Sequence, residues 1–589
     1  MSVGTPPAKR ARRYVWWGLG AIGIAVVLAI AWVGIRGLMA KSELESLAGL
    51  SGDLRSALAE QDFAAALPLI DEVGAHAARA TSLTNDPIWG VAEFVPVLGP
   101  NLEAARVTAS QVDAVMRESV PPVVAALTTL EGGFGDDGTI DVSGLSAQAP
   151  ALNVAVTTLD DAATALGTLD QAQLITQLSS GVGQLSDAID LVRPAADALA
   201  RASVVLPTLL GTDEPAHILV MAQNNAELRT GGGITGTFIE LAVEQGRVQI
   251  VTQADSSEFS TGATPGSLLP ESTTALYGAA ATNWVQNASM TPEFDVTAAI
   301  AQSRWQELTG RTPSVVVSVD PVVLGGLLRV VGPVQVDGAE LNNDNLVQRV
   351  LVKPYAQLDQ RAQTALFQES VAAVVERLSA GAFDPMTLVK QLVSPIQGGH
   401  ISVWSADPTV QTAIDGTDLA GPAARNASAG SNAFAVYLND ATGGKMDVFL
   451  DVAINAGQLV CHADGRREIV VTVDLASMAP ANAASLPFSV TGGGHWGVAP
   501  GNISTQITVA APPGAFFGGV QIDGAAVPSG DVLDAGFPSS TTSVTLQPGE
   551  SGSAQFRFTL TDGPSADPVI LHTPLLTQPE VTILPNGCK

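Results

Sequence analysis

The stretch QNNAELRTGGGITGTF, Gln223 to Phe238, gathers the side chains best suited to chemistry. Asn224 and Asn225 supply amides, Glu227 a carboxylate and Arg229 a guanidinium, and Gly231, Gly232 and Gly233 follow at once. Glycine-flanked backbone N–H groups can form a nest for an anion, and a forked guanidinium suits phosphate. A Gly-x-Gly-x-x-Gly pattern also runs from Gly231 to Gly236. A dinucleotide-binding turn needs a strand ending at the first glycine and a helix opening at the last. Here TFIELAVEQGRV follows, which reads as a strand and a turn, so the nucleotide reading is rejected. Two readings stay open. In one, the glycines permit positive φ and close backbone approach, and Glu227 simply pairs with Arg229. In the other, the segment is a loop lining an anion pocket.

The elements that would position these residues form a mixed central module over residues 206–440. HILVMA at His217–Ala222 reads as a buried strand, and Thr237–Val243 and the run from Val248 as two more. A helix is expected near Thr297–Leu308, a strand at Ser314–Asp320, helices near 345–352 and 360–380, and a last strand at Ala433–Leu438. Strands separated by helices imply an α/β or α+β domain.

The rest of the chain bounds where such a site would work. Six of the 28 basic residues precede the first acid, Glu43, so residues 42–589 carry 22 basic against 57 acidic groups, a net charge of −35. Nucleic-acid binding needs clustered Lys and Arg, so DNA and RNA are excluded as partners. Tyr14–Ile35 is uncharged and long enough to cross about 30 Å of hydrocarbon as a helix. Lys9, Arg10, Arg12 and Arg13 precede it, which predicts that residues 1–13 are cytoplasmic. The apolar run is longer than a signal-peptide core and lacks a good cleavage site, so it reads as an uncleaved anchor at 14–35 with an extracellular body.

Residues 41–205 read as a helical stalk. Leu44, Leu47, Leu50, Leu54 and Leu58 recur at spacings of three and four, and Leu178, Val182, Leu185, Ile189 and Val192 make a heptad seam that Pro194 interrupts. The seams predict packing within the chain or self-association. Asn85–Asn101, NDPIWGVAEFVPVLGPN, reads as a turn packing on the helices or on the membrane surface. A helix is expected over Leu102–Leu130 and a loop over Gly132–Gly144. Residues 441–589 read as a β-sandwich of short alternating strands, with a hairpin at Gln547–Leu560 and an exposed loop at Gly492–Gly497. Cys461 and Cys588 suit a disulfide in an oxidising compartment, and their spacing supports no metal site.

Residues NNAELRTGGGITG, the region from PEFDVTAAIAQSRW to GPVQVDG, and NDATGGKMDVFLD at Asn439–Asp451 resemble the domain-of-unknown-function family numbered 4012. That resemblance implies a membrane-anchored, mostly Gram-positive bacterial setting and no assigned reaction. The order of strands around the Arg/Gly segment is also similar to the LytR-CpsA-Psr proteins. This second likeness implies glycopolymer transfer from a polyprenyl-pyrophosphate carrier, with Arg229 and Arg304 on the pyrophosphate and Asp320 helping to hold Mg²⁺. RTGGGITGT lacks the Asp-Thr pair of those proteins, and VTQADSSEF lacks their Pro-Arg-Asp turn. Asp320 before proline more often simply starts a turn or a helix.

Three functions follow as expectations. The first is a cell-envelope binding or assembly factor with no cofactor, whose partner is a cell-wall polymer or a lipid-linked phosphate. The second is a Mg²⁺-assisted glycopolymer transferase. The third is a self-associating surface protein.

Overall fold

The computed structural model describes residues 8–589 apart from 60–62, 133–141, 213, 263–268, 382, 462–465, 561–566, 586, 588 and 589. Of residues 8–23 it describes the backbone alone. Two compact units are present: Met1–Leu130 with Gly144–Ser203, and Glu131–Ser143 with Val204–Lys589. Most of the expected loop Gly132–Gly144 lies outside the described residues.

The first unit is helical: α1 (Ala8–Ala59), α2 (Phe63–Thr84), α3 (Pro87–Ala92), α4 (Gly99–Ala114), α5 (Val120–Gly132), α6 (Ser143–Ser146), α7 (Ala149–Gly167) and α8 (Thr176–Leu209). α1 contains the expected span Tyr14–Ile35, and its stretch Ile24–Leu47 is long and apolar enough to cross a membrane. A signal sequence meets the same criterion. The expected helix Leu102–Leu130 is α4 and α5 joined by one π-helical turn, Val115–Ser119. Leu47 is buried against Val73 and Ala77, with Leu44 and Leu50 beside it. Val182 and Ile189 are buried against Leu159, Ala162 and Leu166, so the heptad seam packs on α7. The expected break at Pro194 does not occur, because α8 continues to Leu209. Pro194 faces solvent, where water can satisfy the carbonyl that its missing N–H leaves free.

The second unit contains several sheets. β1 (Ala216–Arg229), β2 (Gly232–Glu244), β3 (Arg247–Asp255) and β4 (Val315–Val319) belong to a mixed five-stranded sheet. β5 (Val334–Val336) and β6 (Ala339–Leu341) form a small hairpin, and β7 (Ile401–Ser405) closes the mixed sheet in the order β3-β2-β1-β4-β7. β1 runs antiparallel to β2 and parallel to β4. The helix Phe294–Thr309 precedes β4 and the helix Pro321–Val331 follows it. Phe238 of β2 and Trp305 of the first helix are fully buried in one cluster.

Two further sheets follow. One has the order β14-β15-β11-β8-β17 and contains β8 (Ala433–Asp440), β11 (Ile503–Ala510), β14 (Gly530–Asp534), β15 (Phe537–Leu546) and β17 (Val569–His572). The other has the order β13-β12-β16-β10-β9-β18 and contains β9 (Leu450–Cys461), β10 (Arg467–Ser477), β12 (Phe516–Ile522), β13 (Ala525–Val527), β16 (Ser551–Leu560) and β18 (Glu580–Ile583). Phe434 and Val436 of one sheet and Ile454, Val471, Phe556 and Phe558 of the other share one buried cluster. Two expectations change. β8 is not the last strand of the central sheet but lies between β11 and β17. Gln547–Leu560 is not a hairpin, since β15 and β16 belong to different sheets. β16 alternates buried and half-buried residues, and the last four residues of β15 alternate exposed and buried, a pattern that fixes which face is inward but not which strand is the neighbour.

Candidate functional site

The Gln223–Phe238 segment is a hairpin rather than a loop. β1 continues through Asn224 to Arg229, and only Thr230 and Gly231 separate it from β2. The register slips inside it. Asn224 faces Ile234 and Leu228 faces Gly233, so Asn225, Ala226 and Glu227 bulge out of the pairing. A bulge departs from the regular alternation of side chains, and here Asn225 and Glu227 are buried along with Asn224, Ala226 and Leu228. The glycines make this possible. A Cβ at Gly233 would stand 2.3 Å from the Asn224 carbonyl carbon and oxygen, and Gly232 has φ +128°. Gly231 gives its N–H to the Ser289 carbonyl, so that group is not free for an anion.

Glu227 lies at the centre. Its Oε1 accepts from Arg229 Nη2 at 3.0 Å and its Oε2 from Lys445 Nζ at 3.1 Å. Arg229 donates through Nε to Asn287 Oδ1 at 2.9 Å and through Nη1 to the Leu228 carbonyl at 2.7 Å. Asp440 Oδ2 lies 4.0 Å from the same Nη1. Lys445 also sits over the Tyr355 ring, 4.9 Å from its centroid. The Arg229 side chain is 6% exposed. The backbone of the bulge is pinned from the second pair of sheets: Leu228 N–H donates to Asp447 Oδ2 at 2.7 Å and Thr230 N–H to Asn439 Oδ1 at 3.0 Å.

Asn224 and Asn225 extend the network. Asn224 Nδ2 donates to the Tyr355 hydroxyl at 2.8 Å, and its Oδ1 accepts from Ala226 N–H. Asn225 Nδ2 donates to Asp320 Oδ2 at 2.9 Å and to the Pro574 carbonyl at 3.0 Å. Asp320 is the N-cap of the helix Pro321–Val331, with Oδ1 accepting from Val322 and Val323 N–H, while His400 Nδ1 lies 2.6 Å from Oδ2. Both Asp320 oxygens are thus occupied, as the helix-start reading requires. Arg304 lies apart. It is 3% exposed and donates to Ser260 Oγ and to the carbonyls of Gly262 and Thr282, none of which Arg229 touches. Its Nε has no partner among the described residues.

A cavity of about 50 Å³ adjoins the network, bordered by Asn225, Leu228, Asp447, Asp451 and Leu575. Asn225 Oδ1 and Asp447 Oδ1 have no partners among the described residues. Space of that size with two open acceptors suits ordered water. At the exposed loop Gly492–Gly497, Trp496 stands edge-on to Trp284 at 6.1 Å and His495 to Phe488 at 5.1 Å.

The charges are held in definite states. Burial pushes the Glu227 carboxyl up, but Lys445 and Arg229 together outweigh burial and leave it below the ordinary value. Burial lowers Lys445, and Glu227 more than restores it. Asp440 is pushed up to about 6, first by burial and then by Glu227. Asp447 is raised well above its ordinary value, by burial and then by Asp440. Sequence reasoning assigned no role to Lys445, Asp447, Asp440, Asn439, Tyr355 or His400. Four of these lie in NDATGGKMDVFLD, the segment quoted only for its family likeness.

Residues 213–355, from just before β1 through the helix carrying Tyr355, match the family model described as "Protein of unknown function (DUF4012)". The chain is similar to the crystal structure of protein gbs0355 from Streptococcus agalactiae at 13% identity and a TM-score of 0.24, covering 35% of this chain and 74% of that one. A likeness at that level carries no argument about fold or function. The curated proteins contain no match to the chain.

The network makes stability depend on pH through groups of opposite sign, the raised Asp440 and Asp447 against the lowered Glu227. Asp440 keeps its proton up to about pH 6 when folded, against an ordinary value of 3.8. The folded state therefore binds the extra proton between those values, and stability rises as pH falls through 6. Glu227 works oppositely, because its carboxyl is held below 4.5 and its stabilisation is lost as pH falls through its folded value. Melting temperature against pH is expected to peak in the mildly acidic range, and Asp440→Asn is expected to flatten the limb between pH 7 and 5. An unchanged limb in that variant would assign the pH dependence elsewhere.

Proposed function

We propose that the chain is a single-pass membrane protein with a cytoplasmic N-terminus. Its extracellular body binds or helps assemble cell-envelope material, with no catalysis at the glycine-rich hairpin. The excess of Lys and Arg ahead of the apolar run, the length of α1 and the acidity of the remainder support this orientation. One observation carries the non-catalytic reading. The two arginines that a pyrophosphate would need are buried and already donate to protein oxygens, and they share no partner. A phosphate would have to displace Glu227 from Arg229, which would leave a buried carboxylate with Lys445 alone.

The Mg²⁺-assisted transferase remains the second reading, supported only by the order of elements around Arg229. Self-association through the heptads has less support, since Val182 and Ile189 are already packed on α7. A β-sandwich reading of the C-terminal region is supported by the core that its two sheets share, with β8 inside the sandwich so that the domain begins before Ala433.

A disulfide between Cys461 and Cys588 belongs to this extracellular reading. Cys588 and the side chain of Cys461 lie outside the described residues. The neighbouring backbone favours the pairing: β18 runs parallel to β9, Leu584 N–H donates to the Ala456 carbonyl, and Gly587 N–H donates to the Gln458 carbonyl.

Two measurements test these proposals. Melting of the full chain is expected to be the same with inorganic pyrophosphate and Mg²⁺ as with equal ionic strength of sulfate. A rise of several degrees specific to pyrophosphate would favour the transferase. Mass spectrometry of the non-reduced chain purified from membranes should find a peptide joining Cys461 to Cys588. Two alkylatable thiols would refute the bridge.

A further inference from the structure

The connection between α2 and α4 bears an apolar surface that the fold does not use. Ile88, Val91, Phe94, Val95, Val97 and Leu98 are all exposed, Phe94 at 88% and Val97 at 87%. Val97 has φ +70°, a left-handed conformation that a β-branched residue rarely adopts. Glu93, the one charged residue between Pro87 and Asn101, is turned back onto Arg106 through contacts of 2.6 and 3.1 Å. The tip therefore presents hydrocarbon without charge. A patch of this kind on a soluble surface marks a contact with protein or membrane.

Its position selects between these. α2 runs back along α1, with Glu43 of α1 holding His76 and Arg79 of α2. Further along, Arg36 donates to the carbonyls of Ser82 and Leu83, and Arg36 and Trp32 both reach Asp86, the N-cap of α3. Trp89 is buried with Val33, and its ring lies against Gly37. The connection is thus fastened to residues 32–37 of α1, where the uncharged run Tyr14–Ile35 ends. Tryptophan and arginine at that point are the usual occupants of a membrane–water interface. A second turn shares this end of the unit. Asn101 holds the Gln173 carbonyl and the Ile175 N–H, and Ile175 is 55% exposed.

We propose that residues 88–98, with Ile175 beside them, insert into the outer leaflet next to the anchor helix and give the helical unit a second hold on the bilayer. This rests on the reading of α1 as a retained anchor. A single helix leaves its attached body free to tilt, whereas a second apolar contact restricts the tilt of the helical unit relative to the membrane plane. Such interfacial contacts bury their apolar groups to the depth of the headgroup–acyl boundary.

The test uses the full chain reconstituted in phosphatidylethanolamine–phosphatidylglycerol vesicles. A nitroxide is attached through a ketone-bearing amino acid placed singly at Phe94, at Ile24 in α1, or at Leu67 in α2. Collision with oxygen reports hydrocarbon, and collision with a water-soluble nickel chelate reports water. The label at 94 is expected to resemble that at 24, with an oxygen-to-nickel ratio several-fold above that at 67. High nickel accessibility at 94 with a membrane-embedded label at 24 overturns the proposal and leaves the anchor standing. Low accessibility to both reagents at 94 overturns it in favour of a protein partner. An aqueous label at 24 overturns the anchor reading and the proposal together.

Discussion

The pairing of one buried carboxylate, Glu227, with two cations, the buried Arg229 and the half-buried Lys445, is the constraint on which the arrangement around the hairpin depends. Glu227 lies in the bulge of β1, and Gly233 accommodates that bulge because it has no side chain to strike the Asn224 backbone. Lys445 comes from the segment after β8, so the ion pairs tie the mixed sheet to the start of the next pair of sheets. Asp447 and Asn439 reinforce the tie by accepting the backbone N–H groups of Leu228 and Thr230. An isolated buried charge is expensive, and removing one partner of a buried pair costs about 3–5 kcal/mol. Each member of the set is therefore held in place by the others.

This explains why residues that look suited to binding phosphate are unsuited to it here. A phosphate is held by charge-assisted, commonly bidentate hydrogen bonds from donors that can turn to it. Arg229 is instead enclosed by Glu227, Asn287, the Leu228 carbonyl and Asp440, and Asp320 is divided between a helix cap, Asn225 and His400. The same residue types serve as internal connectors, and the adjoining cavity has room for water rather than for a lipid-linked sugar.

Much of the fold was legible in the sequence, for reasons that differ by element. The apolar run in α1, the strand Val315–Val319 and the helix opened by Asp320 carry local signals, namely length without charge, β-branching and an Asp-Pro cap. Residues 441–589 are built largely of short strands, as their alternating pattern suggests. Pairing was less legible, because alternation specifies a face and not a neighbour: β8 was read with the wrong sheet, and β15 and β16 as a hairpin. Pro194 misled because a solvent-facing proline can be carried inside a long helix. Glycine composition between Gln223 and Phe238 suggested a loop, whereas the glycines serve a strand bulge. Asn224, Asn225, Glu227, Arg229 and Asp320 do meet in one network, but Arg304 does not join them. Lys445 and Asp447 lie more than 200 residues away in sequence from Glu227, and no local pattern announces that contact.

Glu227 and Lys445 act as one structural unit. A double-mutant cycle with Glu227→Gln, Lys445→Met and both changes, followed by denaturant unfolding of the sheet-containing unit, tests it most directly. A coupling energy of about 1.5–3 kcal/mol is expected, in the upper range for residues in one network. Single changes that add to within about 0.5 kcal/mol, the behaviour of independent sites, would contradict it.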